Sequence, residues 1–189
     1  MQGLRDFIIK VDYEYENKIK INDQTLILTS VFDDPFQLVK SAVIVETPVV
    51  GNRIKAKKGD YLWFSYLILK HNLDRHYNKI ANEYVISEYD KTYRVPEGFI
   101  YAYTLNGEFV VPDPYLFVKP LDRGEIKRGN IILPGEKNEM PQIGTVKYSC
   151  DKKQEGKTVI FSKDSEFEIK VFGERLYRMK QDWIIANYG

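Results

Sequence analysis

The chain has 189 residues, enough for one large domain or two small ones, and 28 Lys+Arg against 27 Asp+Glu give a formal net charge of +1. Residues 1–107 hold 14 basic and 14 acidic side chains and the remainder 14 and 13, which excludes a charged tail and the broad basic surface that drives nucleic-acid binding. Aromatics number 26 against five alanines, a balance that favours strands over helices.

Strand-like runs follow one another along the chain. Phe7–Val11 is the first. Ile19–Ile21 and Leu26–Leu28 flank Asn22-Asp23, which reads as a hairpin turn. Val39–Glu46 is apolar and β-branched and stops before Pro48. Gly59-Asp60 opens Tyr61–Phe64. His71–Ala81 is polar and Asn-rich, fitting a short helix or an irregular loop. Tyr84–Ile86, Thr92–Val95 and Phe99–Thr104 follow. Asn106-Gly107 and Pro112-Asp113-Pro114 then mark a break, because closely spaced prolines cannot sit in a central strand. Beyond it come Leu116–Lys119, Ile131–Leu133, Gly144–Val146, Thr158–Phe161, Phe167–Val171, Leu176–Met179 and Trp183–Ala186.

The two halves repeat each other. Tyr93-Arg94-Val95 matches Tyr177-Arg178-Met179, and Phe99-Ile100-Tyr101-Ala102 matches Trp183-Ile184-Ile185-Ala186, both 84 positions apart. Gly59–Phe64 matches Gly156–Phe161 at a spacing of 97, and Ile8-Ile9-Lys10 matches Phe117-Val118-Lys119 at 109. The falling spacing means that the first copy carries longer loops, which a duplicated β fold tolerates. The sequence predicts an all-β chain of two domains, 1–107 and 114–189.

Chemistry-bearing constellations are sparse. His71 and His76 stand five apart in a polar stretch with Asp74 the only carboxylate between them, and read as solvated loop residues. Cys150 is the single cysteine, which excludes an intrachain disulfide, fits a reducing compartment, and reads as a loop or edge thiol rather than a nucleophile. Gly124 and Gly129 lack the Gly-Lys-Ser/Thr ending of a phosphate-binding loop. Lys55, Lys57 and Lys58 read as a solvated run before a turn. The sequence therefore predicts no catalytic residues, no metal site and no cofactor. Met1–Asp6 has no apolar signal core, and the apolar stretch Tyr61–Leu69 is too short to cross a bilayer as a helix. A soluble, cytoplasmic protein without membrane or nucleic-acid partners is expected.

One apolar feature stands out. Ile131, Ile132 and Leu133 lie between Asp122-Arg123-Gly124-Glu125 and Pro134-Gly135-Glu136-Lys137. Large aliphatics in a polar, Gly/Pro-flanked segment fit either a docking motif or a short strand packed on the fold.

From Tyr115 to Tyr188 the chain resembles a GroES-type co-chaperonin. The resemblance is carried, in order, by Phe117-Val118-Lys119, Gly129-Asn130-Ile131-Ile132-Leu133, Gly144-Thr145-Val146, Gly156–Phe161 and Asp182–Ala186. The first copy is similar through its Gly59-Asp60 turn and its Phe99–Ala102 end. Lys157 stands where the family has an acidic turn residue, Lys70–Asn82 is an insert, and the glycine-rich roof hairpin is not recognisable. The resemblance implies two tandem GroES-like, partly open β-barrels, an arrangement of chloroplast and phage-encoded co-chaperonins. The Lys, Asn and Tyr content leans towards the phage type, which would place the protein in a host cytoplasm.

The same resemblance implies a non-enzymatic function: a homo-oligomeric ring that caps a GroEL-type chaperonin over a client protein. Ile131, Ile132 and Leu133 would be the chaperonin-binding anchor, with Leu26, Ile27 and Leu28 as a second. Asp122–Met140 would protrude, and Trp183 would be core. The alternative is a phage virion or ring structural protein built on the same barrel.

Overall fold

The computed structural model describes residues 5–11, 18–21, 24–27, 41–51, 53–69, 72–73, 79–80, 82–122, 127–128, 131–132 and 139–188; the short paired segments at 18–21, 24–27, 72–73, 79–80, 127–128 and 131–132 are described by their backbone alone. The chain divides into two compact units, Met1–Val110 and Val111–Gly189. Both are built of antiparallel strands, and the described residues form no α-helix. No helix among them is long and apolar enough to cross a membrane.

The first unit contains β1 (Phe7–Lys10), β2 (Lys18–Ile21), β3 (Gln24–Ile27), β4 (Ser41–Glu46), β5 (Tyr61–Phe64), β6 (Asn72–Leu73), β7 (Lys79–Ile80), β8 (Val85–Ser87), β9 (Thr92–Val95), β10 (Ile100–Leu105) and β11 (Glu108–Val110). Seven strands form one sheet in the order β11-β10-β5-β4-β1-β9-β8, while β2-β3 and β6-β7 are separate two-stranded pairs. The second unit contains β12 (Tyr115–Asp122), β13 (Lys127–Arg128), β14 (Ile131–Ile132), β15 (Glu139–Ser149), β16 (Thr158–Phe161), β17 (Phe167–Val171), β18 (Glu174–Lys180) and β19 (Ile184–Asn187). Its six-stranded sheet runs β17-β18-β12-β15-β16-β19, with β13-β14 apart. Neither main sheet closes on itself among the described residues: the sheets end at β11 and β8, and at β17 and β19. The expected barrels are thus two open antiparallel sheets.

The duplication holds residue by residue. Ile8 faces Arg94 and Ile9 faces Tyr93 in the first ladder; Phe117 faces Arg178 and Val118 faces Tyr177 in the second. Ile9 faces Ile44 as Val118 faces Val146, each after a register shift at the same place. Phe64 faces Ile100 as Phe161 faces Ile184. The cores correspond as well. Phe7, Ile9, Ile44, Leu62, Phe64 and Val95 are buried together in the first unit, and Leu116, Val118, Val146, Val159, Phe161 and Met179 fill the same positions in the second. Alternation explains this: every second side chain of a strand points to one face, so a conserved register carries a conserved core. Tyr93 and Tyr177 pack on the rims of these cores at equivalent sites, as do Phe99 and Trp183. Trp183 is half-buried rather than fully core, tilted against Phe167 with ring centroids 5.8 Å apart.

The glycine turns repeat too. Gly59 N–H donates to Ile44 O at 2.9 Å, and Gly156 N–H donates to Val146 O at 2.8 Å. Their φ values of +91° and +83° are left-handed, which glycine adopts without a Cβ clash. Gly144 is required for a different reason. A Cβ there would lie 2.4 Å from Val118 Cγ1 and 2.5 Å from Lys119 O, although the equivalent residue of the first unit is the buried Ala42. Gly144→Ala is expected to destabilise the second unit by about 1–3 kcal/mol, the usual range for overpacking. Chemical denaturation checks this, and an unchanged midpoint would show that the two strands part without cost.

Three elements go beyond or differ from the sequence expectations. Asn106-Gly107, with φ of +53° and +85°, forms the turn of the β10–β11 hairpin, and the units divide after Val110, within the expected junction between Asn106 and Pro114. The described residues of His71–Ala81 are not helical, since Asn72 faces Ile80 and Leu73 faces Lys79 in the β6–β7 pair. Asn82 pins the base of this insert, donating from Nδ2 to Ile68 O and accepting from Tyr84 N–H, both at 2.9 Å. Finally, the β12–β15 ladder extends to Asp122 and Glu139. The ends of the expected protruding segment therefore belong to the main sheet.

Candidate functional site

The aliphatic motifs occupy corresponding places in the two units. Between β12 and β15, Ile131 and Ile132 form β14, which faces Arg128 and Lys127 of β13. Between β1 and β4, Leu26 and Ile27 lie in β3, facing Ile19 and Lys18 of β2. Each pair of aliphatics thus sits on the second strand of a hairpin outside the main sheet. Leu28 and Leu133 lie outside the described residues. A two-stranded pair is marginal on its own, so what anchors its stem matters.

The stem of the second hairpin carries a polar cluster. Glu139 is the first residue of β15, with a side chain 13% exposed. Arg175 Nη1 donates to Glu139 Oε1, and the Tyr177 hydroxyl donates to Glu139 Oε2. Arg175 Nη2 donates to the Tyr177 hydroxyl at 3.0 Å, while Arg175 Nε pairs with Glu168 Oε2 at 2.8 Å. Burial raises the Tyr177 phenol above its ordinary range, against the opposing pull of Arg175. It therefore stays protonated and able to donate at neutral pH. Nearby, Glu174 accepts from Lys147 at 2.6 Å and pairs with Lys119 at 3.1 Å; these bonds hold its carboxyl below the ordinary value.

The lysine run and Cys150 take structural roles. Lys55, Lys57 and Lys58 are exposed, alternating with Ile54 and Ala56, which enter the core. Lys57 N–H donates to Asp60 Oδ2 at 2.8 Å, and Lys58 pairs with Glu46 at 2.9 Å. His71 and His76 lie outside the described residues, and no group of three His, Cys, Asp or Glu side chains that could hold a metal occurs among those described. Cys150 is half-buried, with Gln181 Nε2 donating to its sulfur at 2.6 Å. Burial and then the Asp113 charge push its thiol above the ordinary value. Less thiolate means slower attack, so Cys150 is expected to react with iodoacetamide at pH 8 more slowly than free cysteine does. An equal or faster rate would show an activated thiol.

Two features escaped the sequence reading. Arg178 is buried between aromatic rings, its guanidinium 4.6 Å from the Phe167 centroid and 5.5 Å from that of Tyr115. The equivalent Arg94 reaches outward instead, to Asp6 and Glu83, both at 3.3 Å. The second feature is the β19 edge. In the first unit, β11 pairs along β10, and Tyr101 and Thr104 are buried. At the matching positions, Ile185 of β19 is 65% exposed and Tyr188, just after it, 48%; among the described residues β19 has only β16 beside it. No protein-family model matches this sequence.

Proposed function

We propose that the chain is a non-enzymatic co-chaperonin, built of two tandem GroES-like, partly open barrels, that caps a GroEL-type chaperonin over a client. The observation that carries this reading is the recurrence of an aliphatic hairpin at the same point of both units: Ile131-Ile132 in β14 and Leu26-Ile27 in β3. Ile131, Ile132 and Leu133 are the primary anchor, and Leu26, Ile27 and Leu28 the second. The physics suits a reversible cap. Ordering a segment on binding costs about 1–2 kcal/mol per backbone residue, so each contact stays weak. A ring of several copies then restores affinity by avidity while allowing release. The chaperonin supplies the nucleotide chemistry.

The open β19 edge supports the ring. An edge strand with exposed apolar side chains is a template for another strand, and β11 occupies the matching edge of the first unit. The same edge favours a second reading, a phage virion or ring building block that assembles without a chaperonin. In the co-chaperonin reading the site of action is a cytoplasm, the host's if the protein is phage-encoded. Co-sedimentation with a GroEL-type chaperonin, with and without ADP, separates the two: the cap is retained with ADP, and the building block is not retained in either case.

A further inference from the structure

We propose that Glu139, Arg175 and Tyr177 form a clamp that fixes where the anchor-bearing segment leaves the second unit, so that its hairpin is held ready to bind. The partner half of this inference rests on the co-chaperonin reading; the clamp itself does not.

In the second unit the β12–β15 ladder continues past Lys119 and Thr145, through Pro120 and Gly144, to Asp122 and Glu139. A register shift between Pro120 and Asp122 weakens this extension. The clamp lies at the Asp122–Glu139 pair. Glu139 receives two donors, one from a cation, and such charge-assisted bonds are the stronger kind. Arg175 is held in turn by Glu168 on β17, and the Tyr177 ring packs on the core beside Phe161, with centroids 6.3 Å apart. The first strand of the segment's exit is thereby tied through β18 to the centre of the unit. In the first unit Tyr93 keeps the tyrosine position, but Lys91 stands where Arg175 does and cannot make the same forked contact.

A pinned exit lowers the entropy lost on binding. The clamp should therefore strengthen binding of the second-unit hairpin to the chaperonin.

The test uses Glu139→Gln and Tyr177→Phe in the full chain. Each removes one clamp group, and phenylalanine keeps the ring packing. Hydrogen exchange is read in the free protein, and affinity for a GroEL-type chaperonin is measured with ADP. Exchange at the amides of Glu139, Met140 and Gln142 is expected to rise about tenfold or more in both variants, while that of residues 116–118 is unchanged. Chaperonin affinity is expected to fall several-fold. Unchanged exchange at Glu139, Met140 and Gln142 overturns the clamp, whatever the affinity does. Raised exchange with wild-type affinity overturns its role in presentation. A wild-type chain that binds no chaperonin overturns the co-chaperonin reading and presentation with it, and exchange alone then decides the clamp.

Discussion

Truncating Phe161 to alanine is expected to cost the second unit about 3–5 kcal/mol, the range for a buried aromatic. Phe161 is 1% exposed and packs with Val159, Val146 and Met179 at the centre of that core. Phe64 holds the equivalent position in the first unit and is fully buried, so Phe64→Ala should cost as much there. Trp183→Ala should cost less than either, because Trp183 sits on the rim, half-buried against Phe167. Denaturant unfolding checks the order, followed by the single tryptophan of each unit, Trp63 or Trp183, and by circular dichroism for Trp183→Ala. A loss from Trp183→Ala equal to that from Phe161→Ala would contradict the rim placement. Unequal losses from Phe64→Ala and Phe161→Ala beyond the usual spread would weaken the equivalence of the two cores.

The second large effect concerns the anchor. Ile132→Asp is expected to leave both units folded and to abolish chaperonin binding. The expectation rests on the backbone pairing: among the described residues β14 pairs only with β13, outside the main sheet. A change outside the core typically costs less than about 0.5 kcal/mol. Binding would suffer because an unpaired carboxylate would have to enter an apolar groove. Unfolding of the Ile132→Asp chain would place the tripeptide in the fold and remove the main site of the reading. A folded variant that still binds would shift the anchor to Leu26, Ile27 and Leu28.

Much of the fold was legible because it is written in local alternation. Phe7-Ile8-Ile9 and Leu116-Phe117-Val118 announce strands by themselves, and the fixed spacing between copies follows from equal registers. Asn106-Gly107 serves as a hairpin turn as well as marking the junction, because a hairpin turn and a domain linker use the same residues; only the pairing of Glu108–Val110 with β10 shows it. The stem of the anchor segment was misread for a related reason. Asp122–Met140 reads as protruding because it is charged and carries Gly124, Gly129, Pro134 and Gly135, yet its end residues Asp122 and Glu139 pair in the main sheet. The clamp was illegible in principle. Glu139 stands 36 positions from Arg175 and 38 from Tyr177, and nothing in a single sequence marks side chains that distant as neighbours. The buried Arg178 is similar: its tyrosine-arginine pair is visible as a repeat, but the rings that enclose it come from β12 and β17. The open β19 edge needed the comparison of one unit with the other, since its residues read as an ordinary final strand.

The central claim is that this chain caps a chaperonin through Ile131, Ile132 and Leu133. The most direct measurement is co-sedimentation of the full chain with a GroEL-type chaperonin in ADP, beside nucleotide-free and Ile132→Asp controls. The account predicts retention of the wild-type chain with ADP, and its loss both without nucleotide and in the variant. Absence of wild-type retention in ADP, while the protein is folded, would contradict it.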